Sequence, residues 1–409
     1  MKILFIDNYH YILGGAQTVL FNMARILREH GHEVIFFSLK HDKNLPCDQE
    51  DYFVSSMYDS PKWKGIIRYF YNSQAKSSLE RLIIKEQPDI AHVNLFWGGI
   101  GGSIFSILRK YNIPLVHTVH DYRMICPASA FFNSKGLCED CKGKLFYKCI
   151  SNRCAKGRFG ESVIMTLEMY FRNMFFNPVK HIDGFIFVSE FSKKMHFKYN
   201  PKFCNVPSIV LYNSTSAKQR RQVDSHGKNY FLYFGRLSVE KGLGTLLNVF
   251  TKRTDIFLKI VGTGPLLQEM KEECVMRNLD NIEFVGFKTG DELEELVRNA
   301  FFVIVPSEWY ENNPMSILES LAQGVPVIGS DIGGIPEIVN DKETGFVFHS
   351  KDEISLEMAI DRAKSLSIHA YQQMKEKAFS FSNENFGENQ YYKKLIAFYN
   401  KIKNDKTSC

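Results

Sequence analysis

The sequence predicts an α/β protein of two doubly wound, Rossmann-like domains. Two observations carry this. Short apolar runs alternate with stretches of helical periodicity along the chain, the pattern of a parallel sheet covered by helices on both faces. That alternation occurs twice within 409 residues, which suits two domains of roughly 150 residues each with additions. A polar, charged stretch at Ser214–Asn229 lies between the two series and reads as the linker. The expected domains are residues 1–215, with a Cys-rich insertion at about 124–160, and residues 216–384. Residues 385–409 are expected to form a helix packing back across the domains, ending in a disordered tail, NDKTSC.

In the first series, strands are expected at Ile3–Ile6, Val34–Leu39, Asp89–Val93, Leu115–Val119, Gly184–Val188 and Ile209–Leu211, with helices such as Ala16–His30 and Gly102–Lys110 between them. In the second they fall at Tyr230–Phe234, Phe257–Val261, Ile282–Val285, Phe301–Val305 and Val325–Ile328. Sheets of this kind bind ligands above the carboxyl ends of their strands, so two facing domains would hold theirs in the cleft between them. Near the end of the chain Tyr391, Leu395, Phe398 and Tyr399 share one helical face.

Charge is unevenly shared. Over residues 1–215, 27 Lys and Arg face 18 Asp and Glu, a balance of +9, and the remaining 24 against 27 give −3. A basic first half suits an anionic surface or acceptor. No helix-turn-helix, finger or RNA-binding signature supports nucleic acid as the partner. No run approaches the ~20 apolar residues of a membrane span, and MKILFID reaches Asp7 too early for a leader. The expected location is cytoplasmic, peripheral at the inner face of the cell membrane, where disulfides are rare.

The most informative stretch is Pro306–Pro336. An apolar strand leads into a polar loop carrying Glu311, then into a helix from about Pro314 that carries Glu319. A helix N-terminus favours an anion. Carboxylates on either side of it suit a ligand with phosphate at one end and hydroxyls at the other, as in a nucleotide sugar. The loop Gly235-Arg236-Leu237-Ser238-Val239-Glu240-Lys241-Gly242 opens the second domain, where Arg236 and Lys241 can clamp a diphosphate; the bland reading is a solvated turn. Val261-Gly262-Thr263-Gly264-Pro265 and Phe284-Val285-Gly286-Phe287 follow the next two strands and would line the cleft. Gly14-Gly15 at the first strand-to-helix turn lets backbone approach a phosphate or sugar, though tight turns carry glycine for other reasons. At the end of the fourth strand, alternation aims His120 out of the sheet top, while a satisfied structural His is the plainer alternative.

Five Cys lie close together, Cys126 and then Cys138, Cys141, Cys149 and Cys154. The last four fit a structural, all-thiolate zinc site, or are ordinary buried or redox-sensitive thiols. Arg158–Lys180 contains a helix with Val163, Leu167, Tyr170, Met174 and Phe175 on one face, widened by Phe171 and Phe176, and flanked by Lys156, Arg158 and Arg172. It reads as a core helix or as one lying on an anionic membrane. The aromatic-basic stretch Trp63–Tyr71 shares the ambiguity.

Together these motifs resemble the retaining family 4 glycosyltransferases of the GT-B fold, of the type that builds bacterial surface polysaccharide. The resemblance rests on Gly14-Gly15, His120-Asp121, Val188-Ser189, the Gly235…Gly242 loop, Gly262-x-Gly264-Pro265 and Glu311-x7-Glu319. It implies a nucleotide-diphosphate-sugar donor on the second domain, a UDP-sugar ahead of a GDP-sugar, and an acceptor on the first. Arg236 and Lys241 would bind the diphosphate, Glu319 the ribose, Glu311 and the turn Asn312-Asn313-Pro314-Met315 the sugar, and His120 the reacting centre. Where family members carry Gly-Phe-Gly or Gly-Phe-Pro after the first Glu, this chain has Asn312-Asn313-Pro314. The chain holds no Asp-x-Asp for a catalytic metal, so a hexosyl transfer without a catalytic cofactor is expected. The acceptor would be lipid-linked or a glycan, in capsule, O-antigen, lipopolysaccharide or exopolysaccharide synthesis. The alternatives are a soluble transferase acting on a small molecule, an idle nucleotide-sugar-binding protein and, least supported, a zinc-dependent hydrolase.

Overall fold

The computed structural model describes residues 1–56, 59, 61–215 and 230–407. Residues 216–229 of the expected linker lie outside the described residues. The chain forms two compact units, Met1–Leu211 with Tyr391–Cys409, and Tyr212–Gln390.

In the first unit, strands β1 (Lys2–Ile6), β2 (Glu33–Phe37), β3 (Ile90–Val93) and β4 (Leu115–Val119) are followed by a two-stranded hairpin, β5 (Phe132–Asn133) and β6 (Gly136–Leu137). Strands β7 (Gly184–Phe187) and β8 (Ser208–Val210) complete it. Apart from the hairpin these pair in parallel in the order β2-β1-β3-β4-β7-β8. The strands are apolar on both faces because helices cover both. The second unit adds β9 (Phe231–Phe234), β10 (Leu258–Val261), β11 (Ile282–Gly286), β12 (Phe302–Val305), β13 (Val327–Ser330) and β14 (Gly345–Phe348), parallel in the order β11-β10-β9-β12-β13-β14. The expected class, two doubly wound parallel-sheet domains of the GT-B type, is what the chain forms.

One strand is unexpected, and two local expectations need correction. The run Gly345–Phe348, too short to separate from a loop by pattern, is an edge strand paired with β13. The final residues are not all a loose tail, because the helix Glu388–Thr407 continues through them. Ile402 is buried, Lys403 reaches Asp89 at 2.8 Å, and Lys406 reaches Asp183 at 2.7 Å and the Ile113 carbonyl at 2.9 Å. Within the first unit Tyr392 stacks on His30 with centroids 3.7 Å apart. Finally, the helix Phe159–Phe175 turns its apolar stripe outward and buries Ser162, Thr166, Glu168, Met169 and Arg172 instead. A core-helix reading therefore does not hold for that stripe.

Candidate functional site

In the second unit the order of the strands reverses between β9 and β12, and in open sheets the ligand crevice lies above the carboxyl ends at such a switch. The loops leaving β9 and β12 are Gly235–Gly242 and Pro306–Pro314. Close backbone approach holds them together. Gly242 has φ +71°, and a Cβ there would lie 1.8 Å from the Pro306 carbonyl oxygen. The Glu308 N–H donates to the Glu240 carbonyl at 2.9 Å. Gly262 and Gly264 lie against Gly235 and Leu237, where a Cβ would fall 2.0 and 2.2 Å from the carbonyl oxygens. The Leu237 N–H donates to the Thr263 carbonyl at 3.0 Å. Three loops thus form one rigid rim.

That rim brings Lys241 and Glu311 together. Lys241 Nζ donates to Glu311 Oε1 at 2.6 Å, and Ser307 Oγ donates to the same oxygen at 2.7 Å. Burial alone would raise the Glu311 carboxyl, but the Lys241 charge and these hydrogen bonds outweigh it and hold the carboxyl below the usual range. The loop Ile332–Gly334 wraps Glu311 from behind. Gly333, at φ +64°, leaves no room for a Cβ against the Glu311 backbone, and the Gly334 N–H donates to the Glu311 carbonyl at 2.7 Å. Arg236 is exposed and makes no ion pair among the described residues, while its carbonyl accepts the Tyr233 hydroxyl at 2.8 Å. Pro314 caps the helix Met315–Ala322. Glu319, within that helix, is pushed up to about 7 by burial and then by Glu294. Asn313 accepts the Asn213 N–H through its side-chain oxygen at 2.8 Å, which fixes the departing turn beside Asn312. Phe287 stands 70% exposed after β11.

In the first unit the switch falls between β1 and β3. Gly14 caps the helix Gly15–Glu29 in extended backbone, and both glycines are exposed there. His120 is the first residue past β4, and burial, then His117, drives its imidazole down to about 3, so it is neutral at physiological pH. His117 faces the interior, with Nδ1 2.9 Å from the Val93 carbonyl. Asp7, past the end of β1, is buried among the N–H groups of Tyr9 and Leu95 and the Gln17 amide, and burial raises it to about 7.

Cys126, Cys138, Cys141, Cys149 and Cys154 line one cavity. Burial pushes the Cys126 thiol up to about 11 and the Cys141 thiol up to about 12, and raises Cys138, although backbone N–H groups of Ala128, Ala130 and Phe131 point at the Cys126 sulfur and that of Asp140 at Cys138. Of the five, the Cys149 thiol is lowered, by its hydrogen bond with Cys154. Among the described residues no three or more His, Cys, Asp or Glu side chains already stand in a metal-binding arrangement. The thiols would have to turn toward a common point to hold an ion.

Two family models divide the chain. Glycosyltransferase Family 4 matches residues 13–214 and Glycosyl transferases group 1 matches residues 215–381. The chain is a family 4-like glycosyltransferase. An uncharacterized glycosyltransferase of Methanocaldococcus jannaschii is 23% identical over 348 residues, 85% of this chain and 84% of its own. The alpha-monoglucosyldiacylglycerol synthase of Streptococcus pneumoniae is 24% identical over 407 residues, 94% of this chain and 83% of its own. Anabaena HepE, solved in complex with UDP-glucose, superposes with a TM-score of 0.66 at 15% identity, over the full length of both chains.

The geometry adds residues to this glycosyltransferase's site that pattern reading passed over. Trp309 lies under Lys241, ring to ammonium 5.1 Å, and its indole faces the Glu311 carboxylate and helps to hold it ionised. Ser307 and Asn213 support Glu311 and Asn313. Their only sequence signal was proximity to a strand end, which many Ser, Asn and Trp residues share.

Proposed function

We propose that this glycosyltransferase moves a hexosyl group, with retention of configuration, from a nucleotide-diphosphate sugar to a lipid-linked or glycan acceptor in surface-polysaccharide synthesis. The carrying observation is the Lys241–Glu311 pair at 2.6 Å, set on the rim above the β9/β12 switch beside the unpaired cation of Arg236. Arg236 and Lys241 take the diphosphate, and their charge stabilises it as it leaves. The half-buried Glu319 carboxyl receives the ribose hydroxyls. Glu311 and the backbone of Asn312–Met315 hold the sugar. His120, neutral, donates or accepts a hydrogen bond near the reacting carbon.

In this reading the bond from the anomeric carbon to the diphosphate oxygen breaks, and the acceptor oxygen bonds that carbon on the same face. The acceptor's proton passes to the leaving phosphate oxygen. The solved complex of HepE with UDP-glucose supports a UDP-sugar ahead of a GDP-sugar. The synthase relative, named for a glucosyldiacylglycerol product, supports a lipid acceptor. The cavity of thiols supports a structural zinc held by Cys138, Cys141, Cys149 and Cys154, which would pin an insertion whose own strands are two residues long.

A panel of nucleotides and nucleotide sugars in a thermal-shift screen, followed by transfer from the best donor to a membrane-lipid extract, tests the reading. At a hundredfold excess over its dissociation constant, a donor should stabilise the fold by about 2.7 kcal/mol. Donor binding without transfer to any acceptor would overturn the catalytic reading.

A further inference from the structure

The helix Phe159–Phe175 is amphipathic the wrong way round for a helix in a soluble protein. Phe159, Val163, Leu167, Tyr170 and Met174 recur every three or four residues, which places them on one face. That face is outward: Leu167 is 52% exposed, Met174 72% and Phe159 57%. The opposite face cannot be exchanged for it. Glu168 takes the buried Arg123 at 2.9 Å and Arg172 at 3.5 Å, and Arg172 lies over the Trp97 ring at 4.3 Å and donates to the Arg123 carbonyl at 2.7 Å. Turning the helix over would carry Glu168 and Arg172 outward and leave Arg123 buried without its carboxylate.

The apolar face continues onto the helix Lys62–Phe70. Phe70 packs on Phe171 with centroids 5.5 Å apart, and Trp63, Ile66 and Ile67 are exposed beyond it. On the other side the Tyr170 hydroxyl donates to the Lys144 carbonyl at 3.1 Å, which brings up the exposed Leu145 and Tyr147. Monomeric soluble proteins rarely present so much contiguous apolar surface. Its border is cationic, with exposed Lys62, Lys64, Lys142, Lys144 and Lys156, and Lys64 lies over the Trp63 ring at 5.2 Å. The nearby acid Glu161 is already paired with Arg158.

From this face we infer a docking surface for an anionic lipid membrane, in which the two helices lie in the interfacial plane with Trp63, Leu167 and Met174 inserted and the lysines on the headgroups. Apolar insertion explains the outward stripe, and charge complementarity selects an acidic leaflet. The inference rests on the lipid-linked acceptor reading above for its purpose, since it would hold the transferase where such an acceptor resides.

The test is flotation of the full chain with vesicles of phosphatidylcholine alone and of phosphatidylcholine with phosphatidylglycerol, at low and high salt. Sedimentation of the free protein accompanies it. The wild type is expected to float with the acidic vesicles at low salt and to be released in part at high salt. The pair Leu167→Ser with Met174→Ser, both on the exposed face, should reduce the bound fraction at least about tenfold with an unchanged melting temperature. Lys62→Glu with Lys64→Glu should act mainly at low salt. Flotation of the serine pair equal to wild type overturns the inference. So does a solution dimer that the same pair dissociates, which would give the face to a second copy. A UDP-sugar thermal shift on the same samples separates the two readings. Nucleotide stabilisation without flotation sinks the membrane surface alone, and flotation without stabilisation by any nucleotide sinks the donor reading alone.

Discussion

Replacing Lys241 by Met removes the only cation that, among the described residues, pairs with a carboxylate whose side chain is 6% exposed, while the Lys side chain itself is 23% exposed. Breaking a fully buried ion pair costs ~3–5 kcal/mol because the remaining charge is stranded. Here Ser307 still donates at 2.7 Å and the lysine is partly solvated, so a loss of about 2 kcal/mol is the appropriate size. For a unit of this size that lowers the melting temperature by roughly 4–8 °C. The sign with pH follows from the direction of the Glu311 shift. Its folded carboxyl lies below the ordinary value, so its ion pair contributes stability above the unfolded carboxyl's pKa of ~4.5 that fades as pH falls through the lower, folded value. The difference between wild type and Lys241→Met should be full at pH 7 and shrink below pH 4. Adding Glu311→Gln should restore most of the melting temperature, because the two groups are coupled, yet transfer should stay reduced by ~10²–10³-fold for lack of charge at the leaving diphosphate. Melting curves and initial rates for the two single variants and the double measure both. Independent, additive stability losses, or full transfer in Lys241→Met, would refute the pairing as the centre of the site.

Arg236→Ala removes an exposed guanidinium without an ion pair, so stability should change by less than ~0.5 kcal/mol while transfer falls ~10²-fold or more. Glu319 carries a carboxyl raised to about 7, so the unligated fold loses stability as pH rises from 4.5 through 7. Glu319→Gln should therefore raise the melting point at pH 8 by the equivalent of about 1–3 kcal/mol and not at pH 4, while weakening nucleotide-sugar binding in the same thermal assay. Gly242→Ala places a methyl 1.8 Å from the Pro306 carbonyl oxygen at φ +71°; a loss above ~3 kcal/mol is expected, with donor binding lost as the rim opens. If zinc occupies the thiol cavity, elemental analysis finds one equivalent in wild type and none in Cys141→Ser, and chelation lowers the melting point.

Much of this was legible because the second unit obeys one period and one rule. Parallel strands buried on both faces read as apolar runs, and the loops that follow them hold the candidate groups by topology, so Arg236, Lys241, Glu311 and Glu319 could be named from spacing. What spacing does not contain is pairing. Nothing in the sequence shows that Glu240 and Glu308 join through backbone, or that Trp309 lies under Lys241. The glycines at 262 and 264 were placed correctly at strand ends, but close approach to the Gly235 and Leu237 carbonyls already accounts for them without a ligand.

The helix Phe159–Phe175 marks the opposite limit. Periodicity gives the width of an apolar face but not its direction, and the usual inference that it points inward assumes nothing better is available to bury. Here something is. Glu168 pairs with both Arg123 and Arg172 in the interior, and the Arg172 guanidinium lies over the Trp97 ring. An ion-paired set of charges can occupy a core where a single one cannot. Once that network claims the inner face, the apolar stripe is left outside and must find a partner other than the protein's own core. The same reasoning makes Glu168→Ala a harsher change than any substitution on the stripe, because it leaves two guanidinium groups buried with no carboxylate between them.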